Sequence, residues 1–177
     1  MFSIRPAFMS EKDAMNALIR RSGLGLADGF YTAEQAEAIT REVYGVDSAL
    51  VNDGTYYVIE DDGVLAACGG WSKRATEFGG DHAKSGIDRP LDPETESARI
   101  RAFFVDPSMA RRGLGTMLLD HCTACAREAG FRSLELVSTM PGEPLYLRHG
   151  FIPYERIELP LSGGVRVALT RMRKVIA

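Results

Sequence analysis

The amino-acid sequence predicts a three-layer α/β protein in which helices cover both faces of a mixed β-sheet. Three observations support this prediction. Strand-like and helix-like segments alternate along the chain, a tight-turn dipeptide joins two of the strands, and one strand leads through a short turn into a long amphipathic helix. The predicted order of elements is β–α–α–β–β–β–α–β–α–β–β.

Length and composition indicate one globular domain over residues 1–177, with 45% apolar and 25% charged residues. The formal net charge of −3 argues against bulk attraction to nucleic acid or to an anionic membrane. No apolar run is long enough to span a bilayer. The N-terminal sequence MFSIRPAFMSEKD lacks the apolar region of a signal peptide, so we expect a cytoplasmic protein.

The N-terminal segment SIRPA reads as the first strand, because it ends at a proline and is followed by a helix-like pattern. Ser10 and Asp13 resemble a capping box for a first helix that extends to about Arg21. The next segment, SGLGLADGF (22–30), is predicted to be a flexible link because of its glycines.

The middle of the chain predicts a second helix and a hairpin. Thr32 and Gln35 form a capping box before AEQAEAITREVY, and Asp62-Gly63 is a dipeptide suited to a tight turn between two β-rich runs. Residues 72–97 are then polar and rich in Gly, Pro and Asp. A loop of this length is usually either functional or disordered, and the sequence leaves both alternatives open.

The last part of the chain alternates strands with helices. The predicted elements are the strand 98–105, the helix 113–129, the strand 132–138, a short helical segment in EPLYLRHGF, and two strands, IPYERIELP and VRVALTRMRK, joined by Gly163-Gly164.

The chain has three cysteines, Cys68, Cys122 and Cys125, and an odd number in a chain expected to be cytosolic does not suggest a disulfide framework. Cys122 and Cys125 form a CxxC, but both fall on one apolar stripe of the predicted helix and no second ligand pair completes a metal site. We therefore predict two core cysteines and no metal.

The stretch MARRGLGTMLLDHC places two arginines and two glycines at the start of a helix. The first amides of a helix lack internal partners, and together with the helix dipole they favour an anion. Gly113 and Gly115 allow close approach to the backbone, while Arg111 and Arg112 can add charge-assisted contacts. A Walker A motif is absent, and Leu118 occupies the third glycine position of a dinucleotide motif. A pyrophosphate site and an ordinary helix start both remain open at this point.

Two segments at the family's usual separation resemble the GNAT superfamily of N-acetyltransferases. FFVDPSMARRGLGTMLL is similar to the acetyl-CoA motif of that superfamily. EPLYLRHGF is similar to a second family segment, in which a Leu-Tyr pair is followed by Gly-Phe. The resemblance implies a three-layer fold with a mixed, mostly antiparallel sheet. It also implies an enzyme that transfers the acetyl group of acetyl-CoA to a primary amine by direct attack in a ternary complex.

The resemblance assigns roles to individual residues. Tyr146 would donate a proton to the leaving thiolate, for which a phenol has a suitable pKa. The end of the strand at 98–105 would present backbone groups to the pantetheine arm, and amides at the helix start would hold the pyrophosphate. The residues implied in cofactor binding are Phe103, Phe104, Val105, Arg111, Arg112, Gly113, Leu114, Gly115 and Thr116.

Three positions depart from the family pattern. Ala110 replaces the usual Arg or Gln of the glycine motif. Arg99 stands where some relatives have a glutamate that acts as the general base, and Thr139 stands where many have an asparagine. The general base is therefore unassigned. Glu143 and Glu60 are candidates, and surface carboxylates are the alternative for each.

The acceptor is not identified by the sequence, and a small-molecule amine and a peptide amine both fit. Arg99 and Arg101 share one strand face and would either recognise an acidic group on the acceptor or form structural ion pairs. Loop 72–97 would cover the acceptor, with Trp71 and His82 as contacts. A non-catalytic acyl-CoA sensor is the alternative function, and a homodimer is left open.

Overall fold

A computed structural model of the chain describes residues 1–84 and 86–177. The strands in these ranges are β1 (Phe2–Pro6), β2 (Tyr56–Asp61), β3 (Val64–Ser72), β4 (Ala98–Val105), β5 (Ser133–Thr139), β6 (Ile152–Pro160) and β7 (Arg166–Val175). The α-helices are α1 (Lys12–Gly25), α2 (Ala33–Glu42), α3 (Ser48–Asn52), α4 (Leu114–Glu128) and α5 (Glu143–Arg148). None of these helices combines the length and the apolar character needed to cross a membrane.

The strands form one sheet in the order β1-β2-β3-β4-β5-β7-β6. Strands β4 and β5 are parallel, and every other neighbouring pair is antiparallel. Helices α1, α2 and α3 pack on one face, and α4 and α5 pack on the other. The predicted three-layer architecture with a mixed, mostly antiparallel sheet is confirmed.

Side-chain alternation in the strands builds the two layers of the core. In β2, Tyr57 and Ile59 join the cluster beneath α4, while Tyr56 and Val58 join the cluster beneath α1. Because successive side chains of a strand point to opposite faces, a continuous apolar run such as this one supplies both cores.

Local sequence signals explain the hairpin and the start of α2. Asp62 and Gly63 adopt φ angles of 49° and 84°, so both central residues of the turn are left-handed, as the predicted tight turn requires. At α2, Thr32 Oγ1 accepts a hydrogen bond from the amide of Gln35 at 3.1 Å, and Gln35 Oε1 accepts one from the amide of Thr32 at 3.0 Å. The predicted capping box is confirmed.

The predicted first helix is present, but its predicted bounds and the start of the predicted link after it are wrong. Ser10 lies in a short 3-10 turn, α1 begins at Lys12, and the helix continues to Gly25 instead of stopping near Arg21. A Cβ on Gly23 would lie 2.5 Å from Thr40 Oγ1, so the absence of a side chain allows α1 to pack tightly against α2. Tertiary packing therefore extends the helix through residues that the sequence assigned to a flexible link.

Helix α3 is absent from the sequence prediction because it is only five residues long. Its start is defined by Asp47, whose carboxylate accepts a hydrogen bond from the amide of Ala49 at 3.0 Å. Aspartate is a preferred residue at this capping position. Asp47 is fully buried, and this places a charged carboxylate behind β4.

The cysteine prediction is correct for Cys122 and only partly correct for Cys125. Cys122 is fully buried in the core, whereas Cys125 is half-buried with its Sγ accepting a hydrogen bond from the Tyr57 hydroxyl at 3.5 Å. The apolar stripe of α4 continues through Ala126. Within residues 1–84 and 86–177, no group of three His, Cys, Asp or Glu side chains is placed to hold a metal ion.

Candidate active site

The sheet opens between β4 and β5. These strands pair only at Ala98 with Leu134 and at Arg99 with Glu135, and beyond these positions β4 has no strand partner on its β5 side. The backbone N–H and C=O groups on that edge are therefore left available to a ligand. The opening is a direct consequence of the irregular course of β4.

A β-bulge at Ala102 changes the course of β4. Ala102 has a φ of 53°, and the register with β3 shifts between Cys68 and Gly70. The Tyr56 hydroxyl donates a hydrogen bond of 2.8 Å to the Ala102 carbonyl and so supports the strained residue. As a result, Phe103 packs against the cluster beneath α4 and Phe104 packs against the cluster beneath α1.

A cleft of about 430 Å³ lies between the loop after α1, the end of β4, the start of α4, and α5. Seven of the nine residues that the sequence assigned to cofactor binding line it: Phe104, Val105, Arg111, Gly113, Leu114, Gly115 and Thr116. We call it the cofactor cleft, after the role that the sequence predicts for these residues.

The other two assigned residues lie elsewhere. Phe103 lines a neighbouring cavity, and Arg112 is not among the described residues that line either space. The Arg112 guanidinium lies 4.7 Å from the centre of the Phe2 ring, and its Nη1 is 3.2 Å from Met109 Sδ. Its side chain therefore packs on the protein surface, which leaves only its backbone amide for the assigned role.

The start of α4 has the backbone geometry of an anion site. Arg111 and Gly113 both adopt left-handed conformations, with φ angles of 61° and 82°, directly before the first helical turn. The amides of that turn have no acceptor within the helix. Alternating left-handed residues and free amides form a concave, positively polarised surface.

Helix packing also requires a glycine at position 115, in addition to access to the backbone. A Cβ at this position would lie 2.9 Å from Leu145 Cδ2, so the glycine allows α4 and α5 to pack together. This contact places Tyr146, which is the next residue of α5, close to the point where β4 and β5 separate.

A second, smaller cavity of about 90 Å³ lies where β4 and β5 have separated, and we call it the acceptor cavity. Its walls come from α2, from residues 77–80 of the loop after β3, and from β4, β5 and β7. The two cavities share four lining residues: Tyr44, Phe104, Thr139 and Gly142. A molecule in one cavity can therefore touch a molecule in the other at this junction.

Tyr146 lines the acceptor cavity and is buried against two aromatic rings. The ring centres of Phe151 and Phe103 lie 5.6 and 6.2 Å from that of Tyr146. Burial raises the pKa of the Tyr146 phenol well above its ordinary value. The hydroxyl is therefore neutral at physiological pH and able to donate a proton.

Sequence analysis missed two tyrosines that line the cofactor cleft, Tyr31 and Tyr44. Tyr44, after α2, stacks edge-on against Phe104 at 4.9 Å, and burial raises the pKa of its phenol, opposed by a hydrogen bond with the Thr139 side chain. The Tyr31 hydroxyl accepts a hydrogen bond from the Met140 amide at 2.9 Å and donates one to the Ala168 carbonyl at 2.7 Å. These bonds hold the turn before α5, and burial raises the pKa of Tyr31 to about 12. Neither tyrosine belongs to a local motif that could have identified it.

Buried ion pairs hold the loop after β3 against the sheet. Arg101 is 2% exposed, and its Nη2 donates to Asp47 Oδ2 at 3.1 Å and to the Gly79 carbonyl at 2.8 Å. Lys84 bonds both oxygens of the same aspartate at 3.0 Å. Burial lowers the pKa of Arg101, and Asp47 opposes this change. The guanidinium therefore fixes the part of the loop that lines the acceptor cavity.

The other candidates lie outside both cavities. Arg99 pairs with Glu135 at 3.0 Å, and Arg101 pairs with Asp47 as described above. Of the two roles considered for these arginines, the structural ion pair is therefore the one observed. Trp71 is buried against Phe131, and His82 lies against Gly45 on the outer side of the cavity wall. Of the two carboxylates considered as bases, Glu60 pairs with Arg5 and Glu143 lies 3.6 Å from Arg156. Residue 85, which belongs to the loop predicted as a cover, lies outside the described residues.

Comparison with solved structures shows the same fold in known acetyltransferases. A GCN5-related N-acetyltransferase from Rhodopseudomonas palustris is 20% identical with a TM-score of 0.71, covering 98% of this chain and 94% of that one. The PaiA N-acetyltransferase from Thermoplasma acidophilum, solved in complex with coenzyme A, is 15% identical with a TM-score of 0.68 and covers 99% of both chains. The ribosomal-protein-S18-alanine N-acetyltransferase from Escherichia coli is 18% identical with a TM-score of 0.62, covering 100% of this chain and 95% of that one.

At the level of sequence, no curated protein matches this chain. The model of the acetyltransferase (GNAT) family, however, matches residues 21–151, a range that includes β4, the start of α4 and α5. This match covers most of the chain and both motifs that carried the resemblance. The chain therefore belongs to the GNAT family of acetyltransferases, as its sequence predicted.

Proposed function

We propose that this protein is an N-acetyltransferase that transfers the acetyl group of acetyl-CoA to a primary amine by direct attack in a ternary complex. The observation that carries this proposal is the junction of the two cavities at Tyr44, Phe104, Thr139 and Gly142. A thioester in the cofactor cleft and an amine in the acceptor cavity would meet there without a covalent relay. Positioning two reactants in this way is a large catalytic contribution by itself.

The cofactor cleft suits the chemistry of coenzyme A. The left-handed residues Arg111 and Gly113 and the first-turn amides would hold the pyrophosphate, and the Arg111 side chain, which lines the cleft, adds positive charge. The free edge of β4 at Phe104 and Val105 would bind the amide groups of the pantetheine arm in the manner of an added strand. A relative, the PaiA enzyme, is named as a complex with coenzyme A, which supports the same co-substrate here.

Tyr146 is the proposed proton donor. The amine nitrogen attacks the thioester carbonyl, the C–S bond breaks, and the departing thiolate takes the phenolic proton. The newly acylated nitrogen then loses its extra proton to water, and the Tyr146 phenolate regains a proton from water. A raised pKa keeps the phenol protonated until a strong acceptor forms beside it, and a thiolate desolvated in the same site becomes a stronger base for the same reason. Cys122 is a poor alternative nucleophile, because burial raises the pKa of its thiol.

None of the four residues shared by the two cavities carries a carboxylate, so we propose that the amine loses its proton to water before it attacks. The rate at subsaturating amine would then increase with pH toward the pKa of the amine itself. Catalysis by this route depends mainly on orientation and on polarisation of the thioester carbonyl by the β4 backbone near Val105.

The test is an assay of free thiol release from acetyl-CoA with a panel of primary amines, together with calorimetric titration of acetyl-CoA. Tyr146→Phe should lower kcat by about 10²–10⁴-fold and leave acetyl-CoA affinity within about twofold, since the ring packing is preserved. Tyr154→Phe, at an exposed tyrosine on β6, is the matched control and should retain wild-type kcat.

Three results would contradict parts of the proposal. Unchanged kcat in Tyr146→Phe would remove the proton-donor role. Tight acetyl-CoA binding without turnover of any amine would favour the alternative of an acyl-CoA sensor. Stabilisation by nucleotides but not by acetyl-CoA would exclude the assignment of the cofactor cleft.

A further inference from the structure

Most of the side chains that line the acceptor cavity are apolar. Ile39 and Val43 come from α2, Phe78 from the loop after β3, and Ile100, Leu136 and Leu169 from the sheet. A cavity of this composition binds apolar groups by the hydrophobic effect and disfavours a polar group that finds no partner.

Cationic side chains are absent from the described lining of this cavity. The two arginines of β4 are already bonded, because Arg101 is held by Asp47 and two loop carbonyls and Arg99 is held by Glu135. An acceptor with a carboxylate or phosphate would therefore be desolvated without a counter-charge.

One carboxylate residue, Glu77, is among the described residues that line the cavity. Its oxygens lie 2.9 and 3.4 Å from Arg171, whose Nη1 also bonds Glu155 at 2.9 Å. One guanidinium thus serves two carboxylates, so Glu77 shares its counter-charge with Glu155. A carboxylate has about four acceptor positions, so Glu77 retains capacity to bind an ammonium group.

The cavity is small and closed toward α3. Its volume is about 90 Å³, and a Cβ on Gly80 would lie 2.7 Å from the Gly45 backbone, so the loop is packed directly against the segment after α2. The Gly80 amide also donates to the Val43 carbonyl at 2.9 Å. This packing closes the cavity on the side of Gly45 and Gly80.

From these features we infer, on the basis of the proposed function, that the acceptor is a small primary amine carried on a compact apolar group, with Glu77 binding its ammonium. Glu77 is then a specificity-determining residue that attracts and orients the amine before deprotonation. The apolar side chains select against acidic, sugar-like and polycationic amines.

Binding to the coenzyme A-loaded protein tests the inference separately from turnover. The probes are 3-methylbutylamine, its alcohol analogue 3-methylbutan-1-ol, the acidic amine 4-aminobutanoate, and a tetrapeptide with N-terminal leucine. We expect 3-methylbutylamine to bind at least about tenfold more tightly than each of the other three, a difference of about 1.4 kcal/mol. Tighter binding of 4-aminobutanoate or of the peptide would overturn the inference.

Two variants probe the role of Glu77. Glu77→Gln should weaken 3-methylbutylamine binding by about tenfold and leave binding of the alcohol and of acetyl-CoA within about twofold, because only the amine carries a charge. Glu155→Gln, which removes the other carboxylate on Arg171, is the matched control and should change amine binding by less than about twofold. Equal losses for amine and alcohol, or equal effects of the two variants, would refute the role of Glu77.

Turnover of the same probes is measured in parallel. The expected order of kcat/KM is the order of affinity, with 3-methylbutylamine first. If 3-methylbutylamine binds selectively but no amine is acetylated, the inferred ligand class stands and the proposed catalysis fails. If acetylation favours 4-aminobutanoate, the proposed function stands and the inferred class fails.

Discussion

Replacing Arg101 with methionine should destabilise the protein strongly and disturb the acceptor cavity. The guanidinium is buried between Asp47, the Gly79 carbonyl at 2.8 Å and the Thr76 carbonyl at 3.3 Å. Methionine has a similar length and fills most of the volume, so the change mainly removes the charge and the donors. It therefore isolates the ion pair from packing.

The magnitude follows from the partners that remain. Breaking a buried ion pair usually costs about 3–5 kcal/mol, and Lys84 still neutralises Asp47 after the substitution, so this contribution should be near 3 kcal/mol. The Gly79 carbonyl loses its donor, which adds about 1 kcal/mol. The expected loss of unfolding free energy is about 4 kcal/mol, which a domain with typical stability of about 5–15 kcal/mol survives.

Urea unfolding, followed by the fluorescence of the single tryptophan, measures this loss. Arg99→Met is the matched control on the same strand, and it should cost less than about 1 kcal/mol because the Arg99 pair is partly exposed. The folded Arg101→Met protein should also show an increased KM for the amine while acetyl-CoA affinity stays within about twofold, since the partners of Arg101, which are Asp47, Thr76 and Gly79, do not line the cofactor cleft. Equal stability losses in the two variants, or a loss of acetyl-CoA binding in Arg101→Met alone, would refute this reasoning.

Three further predictions concern local structure and pH. Thr32→Ala should lower the unfolding free energy by about 1 kcal/mol in urea titrations, because it removes the side-chain cap of α2, and a cost below about 0.3 kcal/mol would contradict the role of the box. Gly113→Ala should lower the unfolding free energy by about 1 kcal/mol and weaken acetyl-CoA binding in calorimetry, because residue 113 has a φ of 82°. Gly113→Asn should have smaller effects, since asparagine tolerates the left-handed region better than alanine. Larger effects for Asn than for Ala would be inconsistent with a requirement for a left-handed conformation. The Arg74 guanidinium holds the pKa of Asp53 below its ordinary 3.8, so this carboxylate stabilises the fold above about pH 4 and loses that contribution as the pH falls through its lowered pKa. Urea midpoints between about pH 6 and about pH 3 should fall less steeply in Asp53→Asn than in wild type, and parallel curves would count against the ion pair.

Signals between neighbouring residues were sufficient to predict most of the fold. The capping box at Thr32 and Gln35 and the Asp62-Gly63 turn each depend on contacts within a few residues, and both are present in the structure. The glycine motif likewise identified the start of α4, because left-handed residues and free amides are local properties. These are the features that a sequence pattern can encode directly.

Long-range contacts explain the features that the sequence did not predict. Strict alternation would place Arg101 and Phe103 on one face of β4, but the bulge at Ala102 turns Phe103 toward Tyr146. The extension of α1 through Gly23 depends on contacts with α2, and the ordering of the loop after β3 depends on charges from α3. None of these partners is close in sequence.

The sequence alone therefore determined the three-layer architecture, the family and the position of the glycine-containing turn before α4, because periodicity, capping and turn chemistry operate over a few residues. Tertiary structure alone decided which side chains meet where β4 and β5 separate. Tyr44 and Tyr146 are about a hundred residues apart in the chain, yet both line the acceptor cavity. Their proximity results from the bulge, the buried Arg101 and the packing of two helices on opposite faces of the sheet, and no local pattern carries that information.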